Sequence, residues 1–187
     1  MSIGAVYVTL ERLESKTMNK QQLLARRDYF NLVHAVTMRA IRAFTEDELD
    51  FRPQPGMRTP RELIFHMYSQ EKLLAEAAQQ GRFTLEMANG SNPEDQSNAA
   101  ELKSLGTVSD ALAYATACHR AAEDIFRSMS EPDIARNLES PIGTYPAWQY
   151  FLFAYDEHWH HRGQLYTYLR LLGKEPPMLY DYQPAGV

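Results

Sequence analysis

The chain has 187 residues, 44% of them hydrophobic, with a formal net charge of −5 and a single cysteine. That length suits one domain with a substantial core. The acidic balance, without a basic run to track a phosphate backbone, argues against nucleic acid. Lone Cys118 excludes an internal disulfide and a cysteine-built zinc site, as expected of a reducing cytosol, and is read as a small buried residue.

Residues 1–18 are read as an N-terminal extension. Val6-Tyr7-Val8 is strand-like locally, but nothing else offers a sheet for it to join. The start lacks the basic residues and long apolar run of a secretion signal. No apolar run approaches the roughly 18 residues that a membrane span needs, so a cytoplasmic protein without a membrane partner is expected.

From Lys20 to Phe44, Leu23 or Leu24, Tyr29 or Phe30, Val33, Val36, Ala40 or Ile41 and Phe44 recur at helical spacing. Arg26, Arg27, Arg39 and Arg42 are expected to face solvent, and His34 is a surface or capped-core residue. The Pro- and Gly-containing run Asp50 to Arg58 breaks the helix. Thr59-Pro60-Arg61-Glu62 starts a second one, with Thr as N-cap, Pro at the first helical position and Glu completing a capping box. It runs through Leu63, His66, Met67, Gln70, Leu73, Leu74 and Ala77 to Gly81, and His66 falls on the core-facing side. An imidazole there needs a hydrogen bond or a metal.

Residues 82–106 have no periodicity and read as a surface loop that could border a pocket. A third helix spans about Ser109 to Met129, with Ala111 or Leu112, Ala115, Cys118 or His119, Ala122, Ile125 and Phe126 inside. Glu131-Pro132 ends it, and Pro141 to Pro146 lead into a long fourth helix closed by Gly173. No convincing strand is expected. The result is an all-α four-helix bundle over residues 19–187, one domain, with an aromatic tail, Met178 to Tyr182, folding back onto it.

The fourth helix carries Asp156-Glu157-His158-Trp159-His160-His161-Arg162-Gly163-Gln164, which holds three of the six histidines. Residues three or four apart share a helix face, so His161 can act with Glu157 or with His158, while His160 is turned about 100° away. Imidazole and carboxylate one turn apart have the spacing of ligands for zinc, nickel or iron. The competing reading is a satisfied core histidine with solvated neighbours. Gln70, Gln164 and Tyr168 are candidate supporting or pocket groups, and Tyr155 and Trp159 candidate pocket walls.

Four stretches carry a resemblance: Glu46 to Gly56, Thr59 to His66, His160 to Arg170, and Leu172 to Pro177. Together they resemble the DinB/YfiT-like superfamily of bundle metalloproteins, several members of which are thiol-dependent S-transferases or isomerases. The resemblance implies a divalent ion held by a histidine on the second helix and a His-x-x-x-His pair on the fourth. These positions map to His66, position 157 and His161. Position 157 is glutamate here, with His158 one residue later, so either Glu157 or His158 is the third ligand. If Glu157 is not a ligand, it is a candidate general base. The resemblance further implies a small-molecule substrate, a low-molecular-weight thiol cosubstrate and a homodimer. The function expected is a metal-dependent thiol S-transferase or hydrolase. The alternative is a non-catalytic bundle with a metal-binding or vestigial site.

Overall fold

A computed structural model describes residues 18–182. The expected extension at 1–18 therefore lies outside the described residues except for Met18, which is buried in the core. Four long helices make the body: α1 (Lys20–Arg42), α2 (Pro60–Gln80), α5 (Val108–Ser128) and α7 (Ala147–Leu171). Between α2 and α5 lie the short helices α3 (Leu85–Asn89) and α4 (Ala99–Ser104). Between α5 and α7 come α6 (Glu131–Ala135) and two strands, β1 (Asn137–Ser140) and β2 (Gly143–Pro146).

The helix ends follow local chemistry. Thr59 caps α2 as expected: its side chain accepts from the Glu62 amide, and Glu62 accepts from the Thr59 amide at 2.7 Å. Asn19 with Gln22 and Thr107 with Asp110 form the same reciprocal arrangement on α1 and α5. Gly81 ends α2 at φ 77°, the left-handed region where a side chain is strained. Arg136 then donates to the Ala78 and Gln79 carbonyls at 3.0 and 3.1 Å, placing a cation on the negative end of the helix.

Both α1 and α2 pack against α5 and α7. Consecutive helices α1 and α2 therefore occupy opposite corners of the bundle, and side chains they send inward meet across the core. The tail returns as expected, with the Tyr182 and Tyr29 hydroxyls 3.0 Å apart and Lys174 Nζ donating to the Ala43 carbonyl at 2.7 Å.

Two expectations change. The 137–146 segment pairs antiparallel, with Ser140 opposite Gly143, so the chain has a small hairpin where only a connector is expected. Its strands are four residues each, too short for a two-residue period to emerge beside Pro141 and Pro146. The 82–106 connection also contains α3 and α4 rather than loop alone.

The apolar core divides into two halves. One holds Phe30, Leu74, Phe126 and Phe151; the other holds Val36, Ile41, Phe65 and Leu165. A polar layer lies between them. Arg27 is fully buried rather than solvated. It donates to Glu71 at 3.1 Å and lies 3.6 Å from Glu123, with its guanidinium over the rings of Phe30, Phe126 and Phe151. Helical spacing alone could not place it inside, because its ion-pair partners come from α2 and α5.

His119 continues the layer. Its Nδ1 lies 2.8 Å from Glu71 Oε1 and its Nε2 2.8 Å from Asn31 Oδ1, so both ring nitrogens face polar partners. Asn31 in turn donates to Glu123 at 3.1 Å. Burial opposes the charge on Glu71, yet His119 and Arg27 together hold its carboxyl well below the usual range. His34 stacks on His119 with centroids 3.8 Å apart, and burial followed by that neighbouring imidazole pushes it well below the ordinary histidine value.

Candidate metal centre

His66, Glu157 and His161 converge. One ligand atom from each lies within 4.8 Å of the others, and no other such trio occurs among the described residues. His161 Nε2 is 3.1 Å from Glu157 Oε2, and His66 Nε2 is 3.8 Å from the same oxygen. His66 comes from the second turn of α2; Glu157 and His161 are one turn apart on α7. Glu157 stands at the open edge with its side chain 42% exposed, while the histidine side chains are 16% and 8% exposed.

Each imidazole is oriented from behind. His66 Nδ1 lies 2.6 Å from the Ser91 carbonyl, which can only accept, so Nδ1 is the protonated nitrogen. His161 Nδ1 lies 2.7 Å from Gln164 Oε1, and the Gln164 amide nitrogen faces His160 at 3.5 Å. With both Nδ1–H groups so engaged, two Nε2 lone pairs and a carboxylate oxygen point at one another. Three acceptors hold that arrangement only around a proton or a cation. The donor set, two imidazoles and a carboxylate, suits zinc, nickel or iron, and hydrogen bonds from behind are how protein ligands to such ions are commonly fixed. With a proton rather than a cation among them, His161 and then His66 hold the Glu157 carboxyl well below its usual range.

His158, the other sequence candidate, is not brought to this trio. Its ring is fully buried, with Nε2 2.8 Å from Thr37 Oγ1 on α1 and edge-on contacts to Phe30 and Tyr68. Burial pushes it down to about 3. Cys118 is buried, and its thiol is pushed up to about 11 by that burial, as befits a core residue.

Two supporting groups differ in how visible they are in the sequence. Gln164 is a candidate on spacing and is found at His161. Ser91 lies in the expected loop, and nothing in the sequence connects its carbonyl with His66. Its position comes from Asn98, which is buried and donates to the Asn89 and Asn92 carbonyls at 2.8 and 2.9 Å. Ser91 Oγ also donates to Gln70. A cavity of about 320 Å³ adjoins His161, lined by Gly56, Met57, Arg58, Leu63, Gln164 and Tyr168.

No helix among the described residues is long and apolar enough to cross a membrane. The fold is similar to two solved structures from Bacillus subtilis. One is a DinB-like protein, YjoA, with 18% identity, covering 82% of this chain and 96% of that one at a TM-score of 0.64. The other is YfiT, described as a probable metal-dependent hydrolase with an unusual four-helix bundle topology, with 18% identity, covering 86% of this chain and 93% of that one at a TM-score of 0.61. Comparison with curated proteins gives no significant match. The DinB family profile matches residues 17–185, nearly the whole chain, and the chain belongs to the DinB family.

Proposed function

We propose that the protein is a divalent-metal-dependent enzyme acting on a small molecule, either a thiol S-transferase or a hydrolase, with His66, Glu157 and His161 as the ligands. The observation that carries this reading is the meeting of three acceptor atoms whose histidines are already oriented through Nδ1 by Ser91 and Gln164. Three protein ligands suit a catalytic rather than a structural ion. When bound, such an ion lowers the pKa of a water or thiol and stabilises developing negative charge.

The residues divide the remaining work. His66 and His161 present Nε2 from two different helices and fix the centre between α2 and α7. Glu157 brings one oxygen to that point from the open edge of the bundle. The cavity beside His161 gives a small substrate a place to sit. The description of YfiT as a probable metal-dependent hydrolase supports the hydrolase branch by analogy of fold.

The test is turnover of a panel of thiols with electrophilic acceptors, together with ester and amide substrates, by metal-loaded and chelated protein. The reading expects turnover that needs the metal and disappears in His161→Ala. Absence of turnover with every substrate of the panel, with the metal loaded, would favour a binding-only protein.

A further inference from the structure

Arg58 is the one lining residue of the cavity beside His161, other than His161 itself, that can carry a charge. Its Nε and Nη2 donate to the two oxygens of Glu94 at 2.9 and 3.0 Å, the planar fork that matches guanidinium to carboxylate. The pair is open to water, with the Arg58 and Glu94 side chains 26% and 60% exposed. An ion pair this exposed contributes little to stability and yields to a competing carboxylate. Arg58 also starts from a fixed point, because its own carbonyl accepts from the Tyr168 hydroxyl at 2.8 Å.

Charge points the same way. His66, Glu157 and His161 carry one negative charge, so a divalent ion among them leaves the centre positive. Arg58 adds a second positive charge within reach of the same cavity, whose other walls are Gly56, Met57, Leu63, Gln164 and Tyr168.

Resting on the metal reading above, we propose that this cavity takes a small carboxylate-bearing ligand and that Arg58 is the residue that reads the carboxylate, exchanging its fork from Glu94 to the ligand. Glu94 then acts as an internal competitor that keeps the guanidinium oriented in the free protein. Arg58→Lys keeps a charge but loses the fork, so it retains only part of the preference.

The test uses cobalt-loaded protein and two probes of equal chain length, 3-mercaptopropionate and 3-mercaptopropanamide, titrated by the sulfur-to-cobalt charge-transfer band. The probes differ in thiol acidity, so the preference is read as the ratio of their affinities in the native chain against the same ratio in Arg58→Ala. The proposal expects the native ratio to favour the carboxylate about tenfold more than the variant ratio. Glu94→Gln should tighten the carboxylate probe alone. Equal ratios in the native protein and Arg58→Ala would overturn the proposal while leaving the metal reading intact, and an unchanged affinity in Glu94→Gln would remove the exchange from it. Absence of a band with either probe would instead overturn the metal reading, and this proposal with it. Should Arg58→Ala fail to fold, Arg58→Lys and Glu94→Gln decide the same question.

Discussion

Glu157 and His158 are consecutive on α7 and face opposite surroundings. The carboxylate lies 3.1 Å from His161 Nε2 at the open edge of the bundle, whereas the imidazole is fully buried 2.8 Å from Thr37 Oγ1. The rotation of about 100° per residue separates them. His158→Ala should therefore leave metal content intact while removing a core ring and a buried hydrogen bond. A loss of about 2–4 kcal/mol in urea denaturation is expected. Metal loss from a His158→Ala protein that remains folded would contradict this assignment.

The polar layer makes a separate prediction. Glu71→Ala leaves Arg27 and His119 buried without the carboxylate between them. Breaking a buried pair from one side costs about 3–5 kcal/mol. Replacing Arg27 by Met together with Glu71 by Leu should be milder than Glu71→Ala alone, because it removes both charges. Urea midpoints for the three proteins check the order.

Acid should weaken the fold before carboxylates titrate. His34 and His158 are depressed by burial, so each stays neutral in the folded chain at a pH where the unfolded chain binds a proton. Between the unfolded value near 6.5 and their folded values, unfolding takes up protons and stability rises with pH. The slope approaches about 1.4 kcal/mol per pH unit for each group. Glu71, depressed in the folded state, adds a further loss below about pH 4.5. Urea midpoints from pH 7 to pH 4 should fall throughout, and His34→Gln should flatten the upper part of that range.

The groups behind the histidines should matter almost as much as the ligands. Gln164→Leu removes the acceptor at His161 Nδ1, and Asn98→Ala frees the turn that presents the Ser91 carbonyl to His66. Each should lower metal affinity by about 10–100-fold without abolishing the fold. Competition with a chromogenic chelator measures it. Native affinity in Gln164→Leu would show that His161 needs no such partner.

What the sequence disclosed follows from which forces are local. The Thr59 cap, the Gly81 and Gly173 stops, and the buried faces Val33, Val36 and Ala40 on α1 depend on near neighbours in the chain, and these were legible. His66 and His161 were legible as an imidazole on a core face and a motif. Arg27 was not, because its burial depends on Glu71 and Glu123, which lie far along the chain. The choice between Glu157 and His158 was likewise open: both fit the face within a residue, and the neighbours that separate them, Thr37 on α1 for His158 and His66 on α2 for Glu157, lie far along the chain.

The most direct test is elemental analysis of purified protein beside His66→Ala, Glu157→Ala, His161→Ala and His158→Ala. The account predicts about one divalent ion per chain in the native protein and in His158→Ala, and loss of it from each of the other three. Full retention in both His66→Ala and His161→Ala would contradict the proposed centre.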